Sequence, residues 1–419
     1  MTLVIFVVLL LTSMPIAVCL GLASVVTLFI DGIPLSMAVQ RMLASTNSFP
    51  IMAILFFMLS GEIMSKGNMT KKLISVAEAC VGFIKGGLAI SASLASIFFS
   101  AISGSSAATC ASIGTIMIEQ MEKKGYKKDF AAAVIAASGI TGIVIPPSIT
   151  LVVYGVVTGT SVGKLFIGGL VPGFIMGLSI AALSIFLSYK YDYGEIHKFN
   201  IKEIWSRIKE SAFVLMMPII ILGGIYGGIF TPTEAAVVSV VYALIITLFV
   251  ERSLEIKDLG EIFIKSVINA AVVLVIIQNA SVFSWILTND RIPHAVGAIC
   301  ASISQSKIVF LMLMNIVFLI AGTLVTGSAI VAILAPIFLP VALQYGIDPV
   351  FLGVLMVINL AIGYITPPVG VDLYVAGTIA KIPIERVIRQ VIPYLLILLV
   401  DLIIITYVPG IIMFLPNLM

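Results

Sequence analysis

Two proline pairs mark the places where the backbone of this chain could bind a small ligand. GIVIPPS at Gly142–Ser148 and GYITPPV at Gly363–Val369 lie 221 positions apart, each inside an apolar stretch long enough to cross a bilayer. Proline has no amide hydrogen and clashes with the preceding turn, so each pair is expected to unwind its helix. Unwound backbone at membrane depth is tolerated only where protein or a water-filled cavity surrounds it. Two such breaks at matching places in two halves predict the binding site of a secondary transporter.

The composition is that of an integral membrane protein. Of 419 residues, 61% are hydrophobic and 10% are charged, whereas a soluble domain has about 25% charged residues. Most apolar runs exceed about 18 residues, which favours transmembrane helices over a β-barrel. The four cysteines show no CxxC spacing, so we interpret them as small buried residues and not as metal or redox groups.

A longer internal repeat surrounds the two breaks. GSSA at Gly104–Ala107 matches TGSA at Thr326–Ala329, and further landmarks recur in the same order at nearly the same offset. The small-residue segments predict re-entrant hairpins, and the whole chain an all-α membrane protein built from inverted repeats. The predicted ranges are a first repeat at 1–190 with a hairpin at about 87–121 and a broken helix at about 129–158, a linking part at 191–230, and a second repeat at 231–419 with a hairpin at about 308–343 and a broken helix at about 349–378.

The remaining segments set the predicted topology. We expect one retained helix over about 3–30, because that stretch is too long for a signal-peptide core. An amphipathic helix is expected at Ile201–Ile208, a similar apolar face at 256–263, and a linking transmembrane helix at Phe213–Phe230. Four crossings in each half and one linking helix would place the second repeat in the opposite orientation.

The positive charges give an independent test of this topology. With the N-terminus in the cytoplasm and the C-terminus in the periplasm, 19 of the 23 Lys and Arg residues fall in cytoplasmic loops. The four expected outside are Arg41, Lys164, Arg291 and Lys307. Such an asymmetry is what the positive-inside rule predicts.

The chemistry on offer is that of neutral oxygens and helix N-termini. Carbonyl and hydroxyl oxygens suit a weakly charged cation such as sodium, and helix N-termini suit a carboxylate. Close helix packing through small residues is the alternative for either cluster alone, and the duplicated pairing of hairpin and break favours a binding site. The hairpin residues predicted to bind substrate are Ser103, Ser105, Ser106, Thr326, Gly327 and Ser328.

Other polar residues have local interpretations. Asn359 is interpreted either as a neighbour of an ion site or as a partner in an interhelical hydrogen bond, and the sequence favours neither. Thr231, followed by proline and then Glu234, predicts a helix cap closed by a capping box. Asp372 and Asp401 lie in apolar runs without a matching acid in the other half, so we do not expect them to be main ligands of a coupling ion.

Five segments closely resemble the large membrane subunit of TRAP (tripartite ATP-independent periplasmic) transporters over essentially the whole chain. They are SGSSAATCASIG (Ser103–Gly114), GITGIVIPPSI (Gly139–Ile149), GGIYGGIFTPTEAA (Gly223–Ala236), GTLVTGSAIVAILAPIFLP (Gly322–Pro340) and GYITPPVGVDLYVA (Gly363–Ala376). The resemblance implies an elevator-type transporter with scaffold and transport domains, driven by sodium at two sites or more. It also implies that a periplasmic binding protein delivers the substrate and that a small membrane subunit accompanies this one, here as a separate chain or one separated from it.

The resemblance assigns the two sodium sites residue by residue. The first site corresponds to Ser103, Ser106, Gly142, Ile145 and Pro146, and the second to Gly322, Gly363, Thr366 and Val369. Many of these residues would act through backbone carbonyls. We also expect the carbonyls of Gly363 and Thr366 to lose their helical partners, because the prolines cannot donate.

The sequence therefore predicts a sodium-coupled importer subunit for an organic carboxylate, such as an acidic sugar like sialic acid or a C4-dicarboxylate, in the bacterial inner membrane. A stand-alone carboxylate symporter of similar architecture is the alternative, and we expect no nucleic-acid partner. An intramembrane hydrolase is a second alternative. It would need a histidine beside its serine inside the membrane, whereas His197 and His294 are expected in loops.

Overall fold

The computed structural model describes residues 1–12, 14–194 and 199–418, which form helices and connecting turns without any strand. Eight segments are long and apolar enough to cross a membrane, and the bent pair at 201–226 is a ninth candidate. His197 lies outside the described residues, and His294 lies in the first turn of a helix instead of the predicted loop. The structure is thus the all-helical membrane fold that the sequence predicts.

The first half contains eleven α-helices in the described residues. They are α1 (Thr2–Leu11), α2 (Ile16–Ile30), α3 (Ser36–Thr46), α4 (Met52–Lys66), α5 (Met69–Val81), α6 (Gly87–Ser103), α7 (Ser106–Lys123), α8 (Lys128–Gly139), α9 (Thr141–Val144), α10 (Ile149–Thr158) and α11 (Val162–Tyr191).

The second half repeats much of this order. Its helices are α12 (Ile201–Glu210), α13 (Ala212–Tyr226), α14 (Pro232–Ile245), α15 (Ile256–Asn289), α16 (Ile292–Ile303), α17 (Lys307–Leu324), α18 (Gly327–Gln344), α19 (Pro349–Gly363), α20 (Val371–Ala380), α21 (Ile384–Tyr407) and α22 (Gly410–Met413). Four helices, α3, α5, α16 and α22, were not predicted from the sequence.

The N-terminal 30 residues are a hairpin and not the single helix predicted over 3–30. α1 and α2 are separated by Thr12–Pro15, and Pro15 precedes the first turn of α2, which is where proline is compatible with a helix. The hydroxyl of Thr27, near the end of α2, donates to the hydroxyl of Thr2 over 3.1 Å. The N-terminus therefore lies at the same end of the molecule as the end of α2. The argument for a cytoplasmic N-terminus fails, because it counted one crossing over 3–30.

Of the two predicted amphipathic segments, one agrees with an interfacial helix and the other is part of a longer helix. Ile201–Ile208 belongs to α12, which meets α13 at an angle of 67°, and this agrees with an interfacial helix next to a crossing. The predicted face at 256–263 is instead the first two turns of α15, a continuous helix of 34 residues. The cap predicted at Thr231 is confirmed, because Thr231 and Glu234 form a capping box at the start of α14.

Both predicted hairpins are present as helix pairs, and both predicted breaks interrupt a helix. α6 and α7 meet at Gly104 and Ser105, and α17 and α18 meet at Val325 and Thr326. The first broken helix consists of α8, α9 and α10, and the second of α19 and α20. α17 and α18 each reach 18 apolar residues, so length alone permits them to cross. Whether both helices of a hairpin cross the membrane or neither does, the chain after the hairpin is on the same side as the chain before it.

Polar contacts gather the predicted loops at the two ends of the molecule. At one end, five ion pairs join loops expected in the cytoplasm: Lys66–Glu261, Lys72–Glu251, Lys265–Glu62, Lys85–Asp192 and Arg386–Asp129. At the other end, Lys307 donates to the Gly346 carbonyl over 3.1 Å, and the Tyr154 hydroxyl donates to the Pro349 carbonyl over 2.9 Å. This grouping agrees with the charge asymmetry of the sequence.

The repeat is also visible inside the helix bundle. Asn359 donates to Asn315 over 2.8 Å between α19 and α17, and at the equivalent place Ser93 and Ser138 share a hydrogen bond of 3.0 Å between α6 and α8. Of the two interpretations of Asn359, the structure therefore contains the interhelical hydrogen bond.

Candidate binding site at the helix breaks

The first break, Ile145–Ser148, is completely buried. Pro146 and Pro147 cannot donate to the carbonyls of Gly142 and Ile143, which would be their partners in an unbroken helix. The Ser148 hydroxyl replaces one of these donors, because it lies 2.5 Å from the Ile143 carbonyl and also accepts from the Leu151 amide as the N-cap of α10. The Gly142 carbonyl has no backbone or side-chain donor within the described residues. A buried carbonyl without a donor is a ready ligand for a cation.

The tip of the first hairpin is seated on this break. The Ile149 amide donates to the Gly104 carbonyl over 3.2 Å. Gly104 adopts a positive φ of 64°, and a Cβ added to it would lie 2.8 Å from the Pro147 carbonyl oxygen. A Cβ on Gly142 would lie 2.6 Å from the Ser105 carbonyl oxygen. Glycine is therefore required at both positions by this close backbone approach.

The second break, Tyr364–Gly370, differs from the first in two respects. The Thr366 amide donates to the Gly363 carbonyl over 3.0 Å, and the Asp372 amide donates to the Tyr364 carbonyl over 3.1 Å. The prediction that the Gly363 carbonyl lacks a partner is therefore wrong, because a tighter turn supplies the amide that Pro367 cannot. The prolines of this break are also exposed, whereas those of the first break are buried.

The residues assigned to the second sodium site are only partly together. Gly363 packs directly against Gly322, since a Cβ on Gly363 would lie 2.5 Å from the Gly322 carbonyl carbon. The Thr366 hydroxyl donates to the Ile362 carbonyl over 2.8 Å, and the side chain of Val369 is 37% exposed. The Thr366 carbonyl accepts no hydrogen bond from the described residues, as the sequence predicted.

Each hairpin also touches the broken helix of the other repeat. The Ser106 hydroxyl, at the start of α7, donates to the Asp372 carboxylate on α20 over 3.2 Å. A Cβ on Gly327, at the start of α18, would lie 3.4 Å from the Thr150 methyl group on α10. The two hairpins and the two broken helices thus form one interlocked unit, which the separate motifs did not predict.

A cavity of about 730 Å³ opens between the first hairpin and helices α4 and α15. Ser103 and Ser105 line it, together with residues of the first turn of α7 and with Ile149 at the start of α10. The amide of Ala107, one of the lining residues, donates to no other group of the described chain, so α7 presents a free amide here. The charged and amide side chains that line the cavity are Glu62, Asn68, Lys71, Lys265 and Asn269.

The six residues predicted to bind substrate do not form a single lining. Ser103 and Ser105 lie at the cavity, while Ser106 is buried against Asp372. The second-hairpin residues Thr326, Gly327 and Ser328 are not among those that line it. Of the two hairpins, the first therefore supplies serine hydroxyls to this cavity.

Sequence reasoning missed the charged side of the cavity. Lys265 pairs with Glu62 over 2.5 Å, and Asn269 follows it one helical turn later on α15. A lysine and an asparagine at i and i+4 in an otherwise apolar stretch were the available signal. Lys265 was assigned to a cytoplasmic loop because a helix was expected to begin only at about residue 267, whereas Asn269 fell inside that predicted helix. Asp372 was also underestimated, because its contact with Ser106 is created only by the packing of the two repeats.

The chain is similar to known membrane transport proteins over nearly its full length. Residues 3–411 match the family described as the DctM component of the tripartite ATP-independent periplasmic transporter. The chain is 42% identical to the C4-dicarboxylate TRAP transporter large permease protein DctM of Pseudomonas aeruginosa, covering 95% of this chain and 93% of that protein. It is 37% identical to the sialic acid TRAP transporter large permease protein SiaM of Vibrio cholerae, covering 92% and 90%.

Two further similarities concern length and fold. The chain is 42% identical to the isethionate TRAP transporter permease protein DctMQ of Oleidesulfovibrio alaskensis over 98% of its own length, but it spans only 65% of that protein. The crystal structure of the YdaH transporter of Alcanivorax borkumensis superposes with a TM-score of 0.61 at 16% identity, covering 90% of this chain and 88% of that one. That likeness is one of fold.

Proposed function

Because this chain belongs to the DctM component family of tripartite ATP-independent periplasmic transporters, we propose that it imports an organic anion across the bacterial inner membrane. The import is driven by sodium, and a periplasmic binding protein delivers the substrate. A small membrane subunit completes the permease. The chain is a multi-pass subunit of the permease.

The cavity beside the first hairpin carries this proposal. Its walls combine Ser103 and Ser105, the free amide of Ala107 at the start of α7, and the ammonium group of Lys265. Hydroxyls, amides at a helix N-terminus and a lysine are the groups that bind a carboxylate or sulfonate. The relatives that match are named for a sulfonate, C4-dicarboxylates and a sialic acid, and these substrates have an acidic group in common.

The sodium sites rest on the carbonyl oxygens of the breaks. At the first break, Gly142 presents a buried carbonyl without a donor beside the hairpin tip that carries Ser103. Neutral oxygens of this kind can replace part of the hydration shell of sodium. Ser106, Ile145 and Pro146 would complete the first site, and the carbonyl of Thr366 would contribute to the second, together with Gly322, Gly363 and Val369.

The transport movement we propose is that of an elevator. The interlocked hairpins and broken helices move as one body, and α4 and α15 belong to the static scaffold. One polar contact between the moving body and the scaffold is the hydrogen bond of 2.9 Å between Ser65 on α4 and Ser112 on α7. A neutral hydroxyl pair is weak enough to be broken in each transport cycle. In this arrangement the repeats are inverted, the ion-paired end faces the cytoplasm, and both termini face the periplasm.

Uptake into proteoliposomes tests this proposal. The chain is reconstituted with a small subunit and a binding protein of the same family, and uptake of radiolabelled isethionate, succinate and sialic acid is measured with an inward sodium gradient. We expect uptake of one acid that collapses when choline replaces sodium. Uptake that persists without sodium would refute the coupling. Full uptake by the chain alone would support a stand-alone symporter instead.

A further inference from the structure

A continuous polar connection joins the tips of the two hairpins. It starts at the Ser106 hydroxyl, which donates to the Asp372 carboxylate over 3.2 Å. The amide of Asp372 donates to the Tyr364 carbonyl over 3.1 Å. The Tyr364 hydroxyl then accepts from the Gly327 amide over 2.5 Å. Three hydrogen bonds thus run from the first turn of α7, through the second break, to the first turn of α18.

Every group in this connection is buried. The side chains of Ser106, Asp372 and Tyr364 are 1%, 0% and 7% exposed, and Gly327 is buried as well. The second oxygen of Asp372 has no hydrogen-bond partner in the described chain. Hydrogen bonds in such a dry setting are strong, and a partner left unpaired is costly. Each bond therefore constrains the next more tightly than the same bond would at a surface.

Asp372 is not explained by the repeat. The equivalent position in the first half, 221 residues earlier, is Leu151, a buried apolar residue. The fold alone thus accommodates an apolar side chain at this place in a broken helix. A buried carboxylate at membrane depth is expensive and usually functional. The only side chain among the described residues that donates to the Asp372 carboxylate is that of Ser106, on the opposite repeat.

We propose that Asp372 and Tyr364 are positioning residues that couple the two hairpin tips. A change at the first tip, such as the binding of a cation or an anion, alters the Ser106–Asp372 bond. The start of α20 then shifts against Tyr364 and changes how firmly Gly327 is held. By linkage, an event at the second tip must affect the first by the same factor. The identity of what binds rests on the proposed function, but the coupling itself does not.

Hydrogen exchange measured by mass spectrometry tests the coupling in sodium-free buffer with choline chloride. The first variant is Ser106→Ala, with exchange read at peptides that cover 325–328. We expect exchange there to become about tenfold faster, because loss of one buried hydrogen bond releases the segment. The matched control is Ser179→Ala, which removes the hydroxyl that donates over 3.0 Å to the other buried carboxylate, Asp401. The control is expected to leave 325–328 unchanged.

The reverse experiment uses Tyr364→Phe and reads peptides that cover 105–110. Faster exchange at the first tip, by a factor similar to that in the forward experiment, supports the coupling. Unchanged exchange at 325–328 in Ser106→Ala, or at 105–110 in Tyr364→Phe, overturns it. A parallel series with sodium chloride separates the two proposals. If sodium protects neither tip while Ser106→Ala still accelerates exchange at 325–328, the sodium sites fail and the coupling stands.

Discussion

Ser148 is the residue on which the first break most depends. Its side chain is completely buried, and its hydroxyl replaces the donor that Pro147 cannot provide to Ile143, while it also caps α10 through the Leu151 amide. Ser148→Ala therefore removes two interactions at one atom. We expect the break to lose stability while the helices on either side of it persist.

The expected loss follows from the two contributions. A buried carbonyl left without a donor costs about 1–3 kcal/mol, and loss of a serine N-cap costs about 1 kcal/mol. The free energy of unfolding should therefore fall by about 2–4 kcal/mol. The matched control is Ser24→Ala in α2. Ser24 is equally buried, but its hydroxyl donates over 2.7 Å to the Leu20 carbonyl inside a continuous helix. Leu20 keeps its amide partner, so the control should lose only about 0.6 kcal/mol.

Unfolding of the purified protein by sodium dodecyl sulfate in mixed micelles, followed by circular dichroism, measures both values. The comparison of the two variants isolates the effect of the break, because both substitutions remove one buried hydroxyl. If Ser148→Ala unfolds at the same detergent fraction as Ser24→Ala, the Ile143 carbonyl does not depend on Ser148. The account of how the chain satisfies its broken helix would then be refuted.

Three further predictions concern the cavity, the second break and the topology. Lys265→Met should raise the apparent KM for the transported acid by about 10- to 100-fold, because a charged hydrogen bond to the anion is lost. Lys66→Met, which breaks the neighbouring Lys66–Glu261 pair outside the cavity lining, should change it little, and equal effects would contradict the role of Lys265. Thr366→Val should weaken the apparent sodium affinity by about 1–3 kcal/mol if the hydroxyl is a ligand, and an unchanged sodium dependence of uptake would limit Thr366 to its carbonyl. Single cysteines at Lys85 and Lys123 should react with an impermeant maleimide only from the cytoplasm, and those at Lys307 and Gln344 only from outside, whereas labelling of both pairs from one side would exclude inverted repeats.

The sequence by itself determined the elements of this protein that depend on local chemistry. Proline pairs break a helix wherever they occur, because the missing amide and the steric clash are properties of the residue. The two breaks, the hairpin tips between small residues and the cap at Thr231 could therefore be predicted. The apolar lengths and the charge asymmetry likewise indicated the membrane class and the grouping of loops at two ends.

The sequence was less informative where competing packings have similar local signals. The stretch 3–30 is long and has no charged residue, so it suggested one crossing. The packing of α1 against α2 shows a hairpin instead. The start of α15 looked like an interfacial helix because it has a polar face, and one residue of that face, Lys265, lines a cavity that exists only in the folded protein. The Gly363 carbonyl accepts from the Thr366 amide in a tighter turn, and no sequence motif specifies that turn.

Tertiary structure alone decided which residues of the two halves meet. Ser106 and Asp372 are separated by 266 positions, and neither carries a local signal for the other. Their contact arises because the second helix of each hairpin packs along the broken helix of the opposite repeat. A hydrogen bond between such residues depends on the relative placement of whole helices, which is set by the sum of many weak apolar contacts. That sum is a property of the assembled fold, so the link between the two sites could be seen only in the structure.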